Sequence, residues 1–274
     1  HTNWLCFAIY KYGRSLCFGI GMVWKTTQLN KMKNFGLLGK NIDYSFSRSY
    51  FKNKFETQQL ECTYKNFDLE TIEDFDRLKT TEPQLSGLNV TIPYKQAVIP
   101  YLDALDAEAQ EIGAVNTIKI ENGKLIGYNT DHFGFENSLK PHLKPYHKKA
   151  LILGTGGASK AIAFALKKLG INFEYVSRTA SIVAKHTYGT LAKKGIQEYQ
   201  IIINCTPLGT FPDLNKCPAI PYQEITSEHI LFDLIYNPEQ TLFLKKGSEK
   251  NALTLNGLQM LRLQAEKSWD IWNS

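Results

Sequence analysis

The chain lacks paired cysteines, lacks a strong charge of either sign over most of its length, and lacks a long uninterrupted apolar run. Its five cysteines (Cys6, Cys17, Cys62, Cys205 and Cys217) form no C-x-x-C pair, and no His/Cys group has the spacing of a metal site. A disulfide-built secreted module and a structural zinc site are excluded on that ground, so reduced thiols in a cytoplasmic protein without metal are the expectation. Of the formal charge of +6, four basic residues (Lys11, Arg14, Lys25 and Lys31) lie before Met32, where no acid occurs. From Met32 onward 32 − 4 = 28 basic residues face 26 acidic ones, a net of +2. Nucleic-acid binding needs clustered excess charge, which this body lacks. The apolar, aromatic-rich run from Trp4 to Trp24 is interrupted by Lys11 and Arg14. It suits neither a signal peptide nor a membrane span of about 20 apolar residues. There is also no internal repeat, low-complexity tract or long linker.

Residues 1–31 differ in composition from everything after them, and Met32-Lys33-Asn34 leads directly into the strand-like Phe35–Gly39. The expectation is that 1–31 is an upstream extension read through in frame and that the folded protein begins at Met32. A chain of 274 residues, 43% hydrophobic, has enough apolar surface for one large domain or two modest ones.

What is present concentrates first between residues 87 and 131. Three short apolar runs end in compact polar side chains: Asn89, Thr91 and Lys95, then Asn116, then Asp131. Strand ends and the loops after them are where open α/β sheets bind small polar ligands. The reading is a catalytic pocket centred on Lys95 and Asp131. Each residue also has a bland alternative, since Lys95 can be a solvated charge and Asp131 a helix cap. Ser45 and Ser47, two apart, point the same way in an extended loop and suit a carboxylate, or else cap the helix that the spacing predicts over 48–55. Further expected elements are a strand over 61–69 with Tyr64, Phe67 and Leu69 as its apolar members, a helix over 72–78, a strand over 85–91 stopped by Pro93, a helix running from Lys95 through Tyr101 to Ile112, and a strand over 124–128.

The second half alternates strands and helices. Leu151–Leu153 breaks into Gly154-Thr155-Gly156-Gly157-Ala158 and enters an apolar helix over 161–169. Glycine there lets the chain turn tightly and lets backbone N–H groups at a helix start approach a pyrophosphate, though a ligand-free turn has the same composition. The next strand, 171–176, ends in Ser177-Arg178-Thr179 with no Asp or Glu, which favours NADP over NAD. Strands are expected at 201–205, 230–235 and 253–255, and a helix at 241–250. Gly257 opens an apolar final helix that suits packing against another domain, with Gln264 available to a cleft.

Taken in order, the sets 36–47, 87–95, 113–117, 127–131, 154–160, 204–210, 233–236 and 257–264 resemble the shikimate dehydrogenase family from Met32 to the C-terminus. The resemblance implies an α/β protein of two domains, a split α/β substrate-binding domain (32–131, completed by 257–274) and a Rossmann-like NADP-binding domain (132–256). It implies reversible reduction of 3-dehydroshikimate to shikimate with NADPH, on the route to chorismate and aromatic amino acids, by a cytoplasmic monomer or homodimer. Lys95 becomes the catalytic acid/base and Asp131 its partner. Ser45 and Ser47 would hold the substrate carboxylate, while Thr91, Asn116, Tyr236 and Gln264 would meet its hydroxyls and ring. Gly154 to Ala158, Ser177, Arg178 and Thr179 would hold the cofactor, with Gly257 on the nicotinamide side. The chain departs from the family pattern at Tyr44 (usually histidine), Asn41 and Arg48 (usually prolines) and Ser177 (usually asparagine). These changes bear on quinate tolerance and on the strictness of NADP use. The rival readings are a quinate/shikimate dehydrogenase using either cofactor, and a non-catalytic ligand sensor on the same fold, for which loss of Lys95 or Asp131 is expected.

Overall fold

A computed structural model describes residues 32–43 and 45–274. The expected extension over 1–31 and the Tyr44 departure lie outside the described residues. From Met32 to Ser274 the chain forms one unit built on two six-stranded sheets. In the first half the order is β1 (Lys33–Gly39), α1 (Phe46–Thr57), β2 (Cys62–Asp68), α2 (Asp74–Thr81), β3 (Leu85–Val90), α3 (Tyr94–Ala97), β4 (Ala104–Leu105), α4 (Ala107–Ile112), β5 (Thr117–Glu121), β6 (Lys124–Tyr128) and α5 (Asp131–Leu139). The second half runs β7 (Lys149–Leu153), α6 (Gly157–Lys168), β8 (Asn172–Ser177), β9 (His186–Thr187), α7 (Tyr188–Lys194), β10 (Ile201–Asn204), β11 (Ile230–Asp233), α8 (Leu242–Ser248), β12 (Leu253–Leu255) and α9 (Leu258–Asn273).

The first sheet has the order β2-β1-β3-β5-β6-β4 and is mixed, because β5 runs antiparallel to both β3 and β6. Its two faces bury different sets. Leu38, Leu88, Val90 and Ile118 pack on one side, and Phe35 joins Phe51, Phe55, Ala265 and Trp272 on the other. The second set includes the final helix, so α9 returns to the first sheet as its apolar character predicted. Trp272 stacks on Phe35 with ring centroids 4.6 Å apart and donates from its indole to the Ile118 carbonyl at 3.0 Å. Gly87 makes the fit possible, since a Cβ there would sit 2.3 Å from the indole nitrogen.

The second sheet, β12-β11-β10-β7-β8-β9, is parallel throughout. Both faces are covered, with Ile152, Ile201, Ile203 and Phe232 on one side and Leu151, Leu153, Ile202 and Leu231 on the other. Such strands read as continuous apolar runs because neither face meets water. The strand order reverses between β7 and β10 while the strands stay parallel, so the crevice at their carboxyl ends is the switch point of the sheet.

Several expectations need correction. The helix foreseen from Lys95 to Ile112 is broken: α3 spans four residues, a 3₁₀ turn covers Ile99–Tyr101, and β4 intervenes before α4. Pro100 supplies no N–H, and Asp106 starts α4 afresh by accepting from the Ala109 N–H at 2.8 Å. Tyr64 and Phe67 lie three apart on β2 and therefore serve opposite faces. Strand β5 and the β9–α7 segment were not foreseen. Strand β9 has two residues, too few for any alternation to register.

Candidate active site

The carboxyl ends of β1 and β3, the N-termini of α1 and α5 and one turn of α9 converge on a cavity of about 270 Å³. It is lined by Ser45, Ser47, Thr91, Lys95, Asn116, Asp131, Tyr236 and Gln264, together with Asn89, Phe46, Leu261 and residues of the β1 loop. Every substrate-side and catalytic candidate in the sequence therefore meets in one place.

The serines do not sit in an extended loop. Ser45 is the N-cap of α1, its hydroxyl accepting from the Arg48 N–H at 3.4 Å, and Ser47 is buried in the first turn. Capping and ligand binding are not rivals here, because the N-terminus of α1 with its free N–H groups opens on the cavity. That end of a helix favours an anion. Asp131 is not the cap of α5. The Asn129 side chain takes that role, accepting from the Asp131 N–H at 3.1 Å and the His132 N–H at 3.4 Å, which leaves the Asp131 carboxylate free to face inward.

Lys95 donates to Asp131 Oδ2 at 2.6 Å, with side-chain exposures of 16% and 6%. The other oxygen, Oδ1, accepts from Asn116 Nδ2 at 3.0 Å. Asn116 also donates to Gln264 Oε1 at 2.9 Å and accepts from the Thr130 N–H at 2.6 Å. Beneath them Ser268 joins Thr117 at 2.7 Å, Asn89 at 3.0 Å and Thr130 at 3.2 Å. The hydroxyl of Tyr64 donates to Asn89 Oδ1 at 2.8 Å. This buried network holds the lysine and carboxylate in one geometry, since a member that turned away would leave partners unsatisfied. Thr130, Ser268 and Phe46 were not singled out from the sequence. Ser268 stands four residues after Gln264 on α9, a spacing that places both on one face and was legible.

The cofactor candidates line the rim of the second sheet. Gly154 follows β7 with φ +104°, and a Cβ there would lie 3.1 Å from the Thr206 methyl. Only glycine adopts that backbone at no cost. Gly156 is the N-cap of α6 without a side chain to cap it, and a Cβ on it would meet nothing within 4 Å. Thr155 and Ala158 complete the turn. A Cβ on Gly157 would stand 3.7 Å from Lys95 Cβ, so the glycine turn faces the Lys95 segment. Ser177 ends β8, and Arg178 and Thr179 are exposed beyond it with no acid beside them. Gly257 begins α9, packed so closely on Leu234 that a Cβ would fall 2.1 Å from its carbonyl oxygen. An uncapped helix start, an open cradle and an exposed arginine one strand away suit a dinucleotide with an extra phosphate.

Behind that rim, Asp233 is fully buried at the end of β11. It accepts from Asn204 Nδ2 at 3.0 Å, the Ile235 N–H at 3.1 Å and the Thr241 hydroxyl at 2.6 Å. Burial raises its pKa to about 6 despite these donors. Among the described residues no group of three His, Cys, Asp or Glu is arranged to hold a metal, and no helix is long and apolar enough to cross a membrane.

A doubly wound parallel sheet with a glycine turn at its switch point, joined to a polar cavity on a second sheet, defines the class of two-domain α/β dinucleotide-dependent proteins. Residues 37–118 match the shikimate dehydrogenase substrate binding domain. The chain is 35% identical over 261 residues to the NADP(+) shikimate dehydrogenase of Desulforamulus reducens, covering 86% of this chain and 88% of that protein. It superposes on shikimate 5-dehydrogenase of Thermus thermophilus, crystallised with NADP(H) and shikimate, with a TM-score of 0.77, 31% identity and coverage of 88% and 93%. The 5-ketofructose reductase of Gluconobacter sp. strain CHM43 is also similar, with a TM-score of 0.75, 31% identity and coverage of 89% and 93%. The chain belongs to the shikimate dehydrogenase family.

Proposed function

We propose that this protein catalyses the reversible NADPH-dependent reduction of 3-dehydroshikimate to shikimate, with residues 32–131 and 257–274 as its substrate domain and 132–256 as its NADP domain. The observation that carries this reading is the Lys95–Asp131 pair at 2.6 Å in a cavity lined by Ser45 and Ser47, beside an open glycine turn. NADPH held by the glycine turn would supply the hydride that reduces the substrate ketone. Negative charge then builds on the carbonyl oxygen, and the Lys95 ammonium stabilises it and donates a proton. Asp131 orients the ammonium through Oδ2, and Asn116 fixes the carboxylate through Oδ1. Ser45, Ser47 and the α1 N-terminus suit the substrate carboxylate without a formal cation, while Thr91, Asn116, Tyr236 and Gln264 meet the ring and its hydroxyls. Gly154 to Ala158 and Gly257 hold the dinucleotide. Ser177, Arg178 and Thr179 receive the 2′-phosphate end.

The test is the initial rate of nicotinamide reduction with shikimate and NADP, run beside NAD, quinate and a neutral keto-sugar reduced in the reverse direction. Fast turnover of shikimate with NADP is the expected result. Comparable rates with quinate or NAD would move the protein to a broader specificity, turnover of the neutral sugar alone would exclude the carboxylate reading, and no turnover would favour a ligand sensor.

A further inference from the structure

Between the two serines of the cavity stands Phe46, the first residue of α1, a side chain with no polar role to fill. Its half-buried ring lines the cavity and meets Tyr236 edge-on, with centroids 5.6 Å apart and planes at 67°. The same ring stacks on Tyr50 at 5.4 Å and 23°. Tyr50 is itself held, since its hydroxyl donates to Glu266 on α9, whose second oxygen takes Lys54 at 2.6 Å. Phe46 is therefore backed by a fixed neighbour within the first half of the molecule. Tyr236 belongs to the loop after β11 of the second sheet, so this contact crosses the cleft. Lys160 to Gln96 at 2.8 Å and Lys168 to Glu108 at 2.9 Å also join the two halves, but they are exposed polar contacts that salt and water weaken.

Among the described residues no hydrogen bond fixes the Tyr236 hydroxyl, so packing alone sets the direction of its ring. Phe46 is the aromatic neighbour that supplies this packing. We infer that Phe46 and Tyr236 form an aromatic latch across the cleft, and that Phe46 is a positioning residue that holds the Tyr236 ring against the substrate. The inference rests on the function proposed above and deepens it, since it assigns to this chain's own phenylalanine the task of presenting a substrate-binding group from the opposite half. The edge-to-face geometry suits the task because it holds one ring direction while the halves still separate for product release.

The experiment compares wild type with Phe46→Ala, Phe46→Leu and Phe46→Tyr, with shikimate and NADP. An aromatic pair of this kind corresponds to about a tenfold change in affinity. The expected result is a KM for shikimate raised about tenfold in Phe46→Ala, raised less in Phe46→Leu and kept in Phe46→Tyr, with kcat and the NADP Kd nearly unchanged. In a Tyr236→Ala background the Phe46→Ala change is expected to leave the shikimate Kd unaltered. If Phe46→Ala does not fold, Phe46→Leu carries the same comparison. Wild-type turnover with an unchanged KM in Phe46→Ala and Phe46→Leu, or an equal loss in both backgrounds, overturns the latch alone. Absence of wild-type turnover overturns the proposed function and the latch with it.

Discussion

The two sheets solve the problem of a buried ligand site in opposite ways. The parallel sheet is apolar on both faces, and in the proposed reading it offers its ligand mainly backbone, an uncapped helix start and glycines, beside one exposed arginine side chain. The mixed sheet carries a polar interior in which Asn89, Asn116, Thr117, Thr130, Asp131, Gln264 and Ser268 are all buried and hydrogen-bonded to one another. Backbone recognition tolerates sequence change, because every residue but proline has an N–H. Side-chain recognition does not, because each member of the network satisfies another. The difference predicts that substitutions around the polar cavity alter substrate binding or chemistry and those at the glycine turn and Arg178 alter cofactor affinity.

The largest test of that separation is Lys95→Ala. With Lys95 as the proposed proton donor, its removal is expected to lower kcat by about 10³-fold, within the range for loss of a general acid, while the NADP Kd stays within about twofold. Stopped-flow turnover and equilibrium titration of the cofactor measure the two quantities. Equal losses in both would falsify the division of labour and give Lys95 a structural role.

Asp233 breaks the comparison from the other side, because it is a buried acid in the apolar half. Its folded pKa of about 6 lies above the ordinary 3.8. The folded state therefore binds the proton more tightly than the unfolded chain, and the resulting stability is fully present below about pH 3.8 and lost as pH rises through about 6. A rise from 3.8 to about 6 corresponds to about 3 kcal/mol. In Asp233→Asn the amide oxygen keeps the Asn204 and Ile235 donors, and its NH₂ can donate to the Thr241 hydroxyl. The variant is expected to gain up to about 3 kcal/mol over wild type at pH 7 and to flatten the stability profile between pH 4 and 6. Urea midpoints at four pH values decide it, and a variant weaker than wild type at pH 7 would mean that the charge strengthens those three bonds by more than its burial costs.

Ser268→Ala probes the polar half without touching the lysine. Asn89, Thr117 and Thr130 each lose a partner where water does not reach, at a cost of about 1–3 kcal/mol. Thermal unfolding measures that loss. A variant as stable as wild type would show that the remaining partners close the gap, and that the network is less tightly coupled than its distances suggest.

The sequence made the second half more legible than the first, for the same physical reason that separates them. Parallel strands such as Ile201–Asn204 and Ile230–Asp233 are unbroken apolar runs, so the long strands could be bounded to within about two residues, although α6 begins at Gly157, ahead of the expected 161, and β9 and α7 gave no signal. In the first half Lys95 and Asp131 were placed in one pocket because each follows a short apolar run, and only the resemblance gave them their roles, since neither residue type is rare and 36 positions separate them. Pro100 and Asp106 broke a helix that composition alone favoured. The spacing of Ser268 from Gln264 puts both on one face of α9 but does not say that the serine will meet three polar neighbours, and nothing in a linear pattern says that Phe46 will face a tyrosine across a cleft.

Arg178 gives the smallest effect and the finest test of the contrast. It is exposed, and no acid stands beside it at 177 or 179. A charge-assisted bond to a 2′-phosphate is worth about 1.5–3 kcal/mol when well formed and less in contact with water, so Arg178→Gln is expected to weaken NADP binding by about tenfold. NAD lacks that phosphate, and its Kd is expected to change less than twofold. The selectivity between the two cofactors then falls by nearly the whole tenfold, while kcat at saturating NADP stays close to wild type. The same substitution also reads ionic strength: the NADP Kd of wild type is expected to rise with salt, because a contact at the exposed Arg178 would be screened, and the variant should show a shallower dependence. A loss in both cofactors alike would place Arg178 against the part they share, the adenosine or the pyrophosphate, and would move the selectivity to Ser177 and Thr179.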